Sequence, residues 1–586
     1  MSADFCMEKI SPRIFEKRGK GYFADFGLDA FGAPELTLSS PEGGEKVEIL
    51  LGEKYDFLRE RIDRSTQPYC TLKKVEIILK KGRHTYRPEI SRSSGLLSSP
   101  TGFEVIPFRY CEITGAPCEV RKEDLFQLAV FGNVDLHKAS FTSSLPDLDK
   151  VWELCHYTMK ATTLFGYFID GERERLPYEG DSYITSLSYY ACENRYEIAK
   201  RTLDYLMKTP TWPTEYMLLM VPLYWDYYMY SGDLAELKKR YETLKEKLLL
   251  FYAIDDVLLN VRKVHEHYTD EELHDKTGLP LYFAHWARDL VEWPPSQRDN
   301  YDFGPVTTGL EDKDPRREKY WNGVEIAGIN FVPNAFHKWA LDTMEKIALE
   351  LGDKEYAAFC RQRSQAVAKR VCETMYLPEE HRFVDSPAAT RTSFMTDVMS
   401  VYAGMAKEED HPFIAKRLIE KGMACGVYGA QFLLSVLFRL GYAAEAITLM
   451  ADPTSPRSWS NMLRRGATIT METWDDYEVK GRDWNHAWGT APLNVIPREM
   501  FGIKPLSPGF KTFSLKPDMG FLDHAAITQP TLQGVISVSL RREGEEKGIL
   551  EVTVPAGTEC FCTFGGKSHI LEPGTHTLEG FIPMPE

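Results

Sequence analysis

The sequence predicts a multidomain chain: an (α/α)6 barrel over residues 144–503, flanked by an N-terminal β-sandwich (1–143) and a small C-terminal β-sandwich (504–586). Three observations predict it. Apolar residues alternate with period two at both ends of the chain. Between them they recur at helical spacing in pieces of helix length. Short Gly-containing turns (Ser231–Asp233, Leu351–Asp353, Leu440–Tyr442) join several of these pieces into hairpins.

The first part carries β-rich runs at Glu35–Ser39, Lys46–Leu51, Lys74–Leu79, Phe103–Phe108 and Phe126–Phe131, punctuated by Gly and Pro. Near Ser144 the pattern changes, because Ser144 followed by Pro146 and an apolar-periodic run is a helix start. Helices are then expected at Leu148–Thr163, Tyr196–Lys208, Glu215–Ser231, Leu234–Tyr252, Asn330–Leu351, Tyr356–Met375, Phe394–Ala406, Phe413–Gly422 and Ala430–Leu440. A superhelical array is the structural alternative, but no fixed-period motif supports one. From about Pro505 alternation returns, at Phe513–Leu515, Gly534–Leu540, Leu550–Val554 and Cys560–Phe564.

Composition narrows the function. Seventy basic against 86 acidic residues give a net charge of −16, which argues against a nucleic-acid partner. No run reaches the roughly 20 apolar residues of a membrane span, and the N-terminus lacks a signal-peptide pattern, so a cytoplasmic location is expected. Eleven scattered cysteines suit reduced thiols. His265, His267 and Glu271 lack the spacing of a metal motif, and no nucleotide-binding glycine loop occurs, so neither metal nor cofactor is expected. A homodimer is allowed by the sequence, which demands none.

The most informative stretch is Asp170–Asp181, where twelve residues hold five carboxylates (Asp170, Glu172, Glu174, Glu179, Asp181) and two arginines. A solvated acidic turn is the bland account of such a loop. This one, however, follows the aromatic run Leu164–Ile169 and precedes a helical pattern at Tyr183–Tyr190. Carboxylates set among aromatics suit a sugar-cleaving site, since sugars present apolar C–H faces. A second connection, Gly466–Tyr477, mixes Glu472, Asp475 and Asp476 with Trp474, and Trp484, His486 and Trp488 follow it. A third runs from Trp286 through Glu292 and Trp293 to Asp302, and a fourth holds Trp212 and Glu215, with Trp225 just beyond. Trp225 and Trp293 are read as pocket walls, with core packing as the alternative. Glycoside hydrolysis needs two carboxyl groups on opposite sides of the anomeric carbon, which two distant acidic loops can supply.

Here the residues resemble a known family. Arg173-Glu174-Arg175 with Tyr178, Gly180 and Asp181, then Gly466-Ala467-Thr468 with Glu472, then Asp483 to His486, resemble in order the motifs of bacterial α-L-rhamnosidases of glycoside hydrolase family 78. Glu292-Trp293-Pro294 with Arg298, Asp299, Tyr301 and Asp302, and Gly502 to Phe510, are further echoes. The resemblance implies the same three-part fold. It makes Glu174 the general acid and Glu472 the general base, with Asp475, Asp476 and Glu478 close enough to be confused with it. It places Asp170, Arg173, Tyr178, Asp181 and His486 among the substrate-binding residues, although His486 equally suits a hydrogen-bonded core position. Tyr178 and Met471 stand where the family usually has tryptophan, and Ile469 where it has threonine.

The implied reaction is exo-acting, inverting removal of a terminal α-L-rhamnosyl unit from a glycoside or oligosaccharide. Inversion calls for carboxyl groups about 6.5–9.5 Å apart. Asp170, Glu172 and Asp181 are expected to favour the protonated acid as like charges, with one arginine paired to a neighbouring carboxylate. The alternatives are an (α/α)6 glycosidase for another sugar and a non-catalytic carbohydrate-binding protein.

Overall fold

The computed structural model describes residues 5–65, 71–91, 97–284, 287–304, 328–474, 482–544 and 546–582. An eight-stranded sheet comes first. Its main path runs Phe5–Ile10, Leu125–Gly132, Gly21–Ser40, Ile106–Thr114, Lys46–Gly52 and Leu72–Ile78, and Ile14–Arg18 and Gly82–Tyr86 pair with Gly21–Ser40. The twenty-residue strand Gly21–Ser40 shifts register against Ile106–Thr114 between Asp25 and Ala30. Such a bulge re-aims the side chains beside it. Alternate residues Val47, Ile49 and Leu51 pack with Val75, Ile77, Phe108 and Ile113 in one apolar cluster, as period-two patterning requires.

The middle of the chain is helical. Pro146–Thr162, Glu179–Cys192, Glu197–Lys208, Thr214–Ser231, Leu234–Glu246, Phe331–Glu350, Lys354–Met375, Phe394–Tyr402, His411–Lys421 and Val427–Arg439 form in sequence. Gly232 ends the fourth in the left-handed conformation (φ 71°), which glycine adopts without strain. Asp233 and Asp353 cap the helices that follow them, accepting from Glu236 N and Tyr356 N, both at 3.0 Å. Two C-terminal sheets close the chain. One orders Ser140–Ser143, His524–Thr531, Gly534–Glu543, Lys547–Val554 and Gly574–Phe581; the other orders Lys504–Pro505, Thr512–Leu515, Glu559–Phe564 and Lys567–Leu571.

The chain divides into two compact units that cut across sequence order. The first holds 1–139, 145–177 and 450–493; the second holds 140–144, 178–449 and 494–586. The N-terminal sheet therefore shares a unit with the first half of the acidic loop and with the segment carrying Glu472.

Candidate functional site

In the first unit a tight hairpin, Thr163–Leu164 with Tyr167–Phe168, delivers the chain into the acidic loop. The loop is self-braced: Asp170 N donates to Leu176 O, and Asp170 Oδ1 accepts from Leu176 N, both at 2.9 Å. Asp170, expected to hold sugar hydroxyls, thus has one oxygen committed to the loop itself. Gly171 is required by close approach, since a Cβ there would lie 2.4 Å from Asp483 Oδ2.

The two arginines divide the acids between them. Arg175, 1% exposed, forks onto Glu172 (Nε–Oε2 3.1 Å, Nη2–Oε1 2.9 Å, Nη2–Oε2 2.7 Å) and also reaches Val105 O (2.7 Å) and Glu104. Arg173 joins the two principal candidates. Its Nε donates to Glu174 Oε1 at 2.6 Å, and its Nη1 donates to Glu472 Oε1 and Oε2 at 2.9 and 2.7 Å. Glu174 and Glu472, distant in sequence, therefore meet at one guanidinium. Glu174 Oε2 is buried and has no hydrogen-bond partner among the described residues.

Glu472 is fully buried on a short ladder with Asp483: Glu472 N donates to Asp483 O (3.0 Å) and Asp483 N to Glu472 Oε2 (2.9 Å). Burial works against its charge, but Arg173, then His486 and Arg482, hold the carboxyl down to about 2. His486 is buried; its N donates to Thr470 O at 2.8 Å, and its ring lies 4.4 Å from that of Trp488. Trp488 Nε1 in turn donates to Glu472 O at 3.0 Å. Glu472, Asp483 and His486 offer ligand atoms within 4.8 Å of one another. Arg173 and Arg482 already bring positive charge to Glu472, so a metal cation there would be repelled by two guanidinium groups.

Sequence reasoning assigned no role to the groups behind these segments. Asn485 Oδ1 accepts from Glu172 N (2.8 Å), and Asn485 Nδ2 donates to Glu53 Oε1 (2.7 Å). Glu53 shares a hydrogen bond with Asp29, whose N donates to Thr468 Oγ1 at 2.8 Å. Two buried carboxyl groups in contact retain a proton between them. Residues of the N-terminal sheet region thus grip both the acidic loop and the Glu472 segment. Asp29 lies alone in an apolar run and Glu53 in the mixed stretch Gly52–Asp56, and neither signals a role in the sequence; Asn485 at least lies in the stretch Asp483–His486.

Tyr178, Asp181, Trp225 and Trp293 belong to the second unit. Asp181 lies in the first turn of Glu179–Cys192. Beside it Gly180 meets Tyr216, where a Cβ would lie 2.2 Å from the ring, and Glu179 accepts from Thr211 N at 3.0 Å. The third and fourth connections meet here. Glu215 accepts from Leu290 N (3.0 Å) and Val291 N (2.8 Å), and Glu292 accepts from Trp293 N (2.7 Å) and Gly426 N (3.2 Å). Trp293 is half-buried at this junction. Trp225, the other expected pocket wall, is half-buried. It lies ten residues beyond Glu215 on one helix, about 15 Å along the axis, against Tyr228 (5.9 Å between rings), whose hydroxyl donates to Glu350. Asp475, Asp476, Glu478 and Trp286 lie outside the described residues.

Burial pushes Glu172 up to about 7 against the pull of Arg175, and Glu292 up to about 8. Such groups keep protons in the folded chain that the unfolded chain has released, so stability falls as pH rises through that window. The melting temperature is expected to decline from about pH 5 to 8, between the ordinary carboxyl value and the raised ones, and Glu292→Gln to flatten the decline. A melting temperature that is level or rising over this range would contradict the assignment.

Residues 137–253 and 312–500 match the bacterial alpha-L-rhamnosidase 6 hairpin glycosidase domain, and residues 502–576 match the bacterial alpha-L-rhamnosidase C-terminal domain. The first match takes in more than half of the chain, which belongs to this six-hairpin glycosidase family. A curated alpha-L-rhamnosidase from Alteromonas sp. (strain LOR) is 23% identical, over 94% of this chain and 56% of its own length. Among solved structures, the alpha-L-rhamnosidase of Dictyoglumus thermophilum is similar with a TM-score of 0.74 at 17% identity, covering 98% of this chain and 63% of that one. That of Streptomyces avermitilis complexed with L-rhamnose gives 0.71 at 16%, covering 98% and 53%. These likenesses show the fold, with sheets flanking a helical middle. The chain spans between about half and two thirds of the length of these relatives.

Proposed function

We propose that the chain is an exo-acting, inverting glycoside hydrolase that removes terminal α-L-rhamnose, with Glu174 as general acid and Glu472 as general base. The observation that carries this reading is the meeting of the two carboxyl groups at Arg173. In this mechanism the unpartnered Glu174 Oε2 presents its proton to the glycosidic oxygen as the bond lengthens. Glu472 takes a proton from the water that attacks the opposite face of the sugar. A carboxylate held near 2 is always ionised but accepts protons weakly. Sugar binding that draws Arg173 off Glu472 raises its basicity when it is needed. Asp483 and the Trp488 N–H fix the base in place. Asp170, Asp181, Tyr178 and His486 keep the substrate-binding roles that the resemblance implies, and Trp225 and Trp293 keep the pocket-wall reading of the sequence.

Family membership and the L-rhamnose complex of the Streptomyces relative support rhamnose as the sugar. The six-hairpin family description and the succession of paired helices support closure of the central helices as an (α/α)6 barrel between two sandwiches. The test is hydrolysis of a panel of p-nitrophenyl glycosides, with the anomer released followed by NMR. Activity on the α-L-rhamnoside with β-L-rhamnose as the first product is expected. Preference for another glycoside would move the specificity, α-L-rhamnose as first product would sink inversion, and silence across the panel would favour a binding protein.

A further inference from the structure

A hollow of about 610 Å³ opens in the first unit between the hairpin that pairs Tyr55–Asp56 with Arg61–Ile62 and the residues Arg464 and Arg465. Its lining is strongly basic: Lys54, Arg59, Arg61, Arg64, Arg464 and Arg465 face only the two carboxylates Asp56 and Asp63. Those acids are already engaged, Asp56 by Arg59 at 2.9 Å and Asp63 by Lys54 at 3.7 Å, while Arg64 pairs with Glu112. Arg61 is exposed and forms no ion pair among the described residues. On a chain of net charge −16 this is a local excess of positive charge, which would concentrate anions.

The rim is apolar as well as basic. Phe57 is 66% and Leu58 93% exposed, and Phe57 packs edge-on against Tyr55 with ring centroids 5.1 Å apart. Exposed aromatic surface beside cations suits a ring with an apolar face and a negative group, which describes an acidic sugar. The hollow also adjoins the candidate site. Lys54 Nζ lies 5.0 Å from the Trp484 ring and the Arg465 guanidinium 5.5 Å from it. Trp484 sits between Asp483, which holds Glu472, and Asn485, which holds Glu172 N. Phe57 borders Gly466, where a Cβ would meet its ring at 3.7 Å, at the start of the Glu472 segment.

We propose that this hollow is a subsite for an anionic saccharide, a sugar carrying a carboxylate or sulfate ester, to which the rhamnosyl unit is attached. The proposal deepens the hydrolase reading and, as a leaving-group subsite, rests on it; binding of the anion itself can be measured without turnover. Two arms test it with the full chain. In the first, kcat/KM is compared for α-L-rhamnosyl-(1→4)-D-glucuronate and its uncharged methyl ester, in wild type and in Arg61→Glu. The acid is expected to be preferred about tenfold, mainly through KM and less so at high salt. Arg61→Glu should abolish the preference and leave activity on p-nitrophenyl α-L-rhamnoside unchanged. In the second, calorimetry compares trigalacturonate, a sulfated carrageenan tetrasaccharide and neutral maltotriose. Tighter binding of either anion, lost in Arg61→Glu, supports the site and tells carboxylate from sulfate. Equal treatment of acid and ester while rhamnosides are cleaved would overturn the subsite and leave the hydrolase reading standing. Should no rhamnoside be cleaved, the hydrolase reading fails and calorimetry decides the hollow, with no anion preference overturning it.

Discussion

Glu472→Gln is expected to lower kcat on α-L-rhamnosides by about 10²–10⁴-fold, the usual range for loss of a positioned general base. The amide is nearly isosteric and can keep a hydrogen bond to Asp483 N, but it cannot take a proton from the attacking water. Because that water must be activated whatever sugar departs, the loss should be similar for p-nitrophenyl rhamnoside and for a rhamnosyl disaccharide. Glu174→Gln should behave differently. Nitrophenolate leaves without protonation far more readily than a sugar alkoxide, so the acid's loss should be small on the aryl substrate and large on the disaccharide. The pattern of kcat across two variants and two leaving groups thus separates the roles. Glu472→Gln retaining activity within about tenfold, while folded by circular dichroism, would remove it as the base. Both variants also alter a hydrogen-bond partner of Arg173, a shared structural effect that cannot make one loss depend on the leaving group and the other not.

Much of this arrangement was legible because it rests on local patterns. The expected helix Tyr196–Lys208 is found at Glu197–Lys208, Asn330–Leu351 at Phe331–Glu350 and Tyr356–Met375 at Lys354–Met375. Apolar periodicity and Gly-Asp turns determine such elements with little help from distant residues. The run Lys46–Leu51 likewise appears within Lys46–Gly52. What escaped is non-local. Ser140–Ser143 pairs with His524–Thr531 across almost four hundred residues, and no periodicity announces that partner. Arg173 was expected near sugar, yet it spans Glu174 and Glu472, because only the folded chain brings Glu472 to it. The acids Asp170 and Glu172 were expected to act on Glu174 as bare like charges. Asp170 instead binds Leu176 N, and Glu172 is matched by Arg175.

The largest effect on stability is expected at Arg175 rather than at either catalytic candidate. Arg175→Met should cost about 3–5 kcal/mol, the range for breaking a buried ion pair by removing one partner. The side chain is 1% exposed and satisfies Glu172, Glu104 and Val105 O together. Removing it strands Glu172 in a site where burial already pushes its carboxyl to about 7 and leaves a backbone carbonyl without its donor. Lysine is a poor substitute, because one ammonium cannot reproduce the fork onto Glu172 while reaching Val105 O. Arg175→Met/Glu172→Gln should recover part of the loss as pH rises above neutral, since no carboxyl is then left to ionise in that buried site. The check is denaturant unfolding of both variants and wild type, with kcat on p-nitrophenyl rhamnoside measured alongside. If Arg175→Met stays within about 1 kcal/mol of wild type, the pair is no stronger than an exposed one and does not clamp the loop. If stability falls as expected and the double variant regains stability but little kcat, then the clamp serves to hold Glu174 in place, and the ion pair next to the site is kept for geometry beyond its contribution to folding.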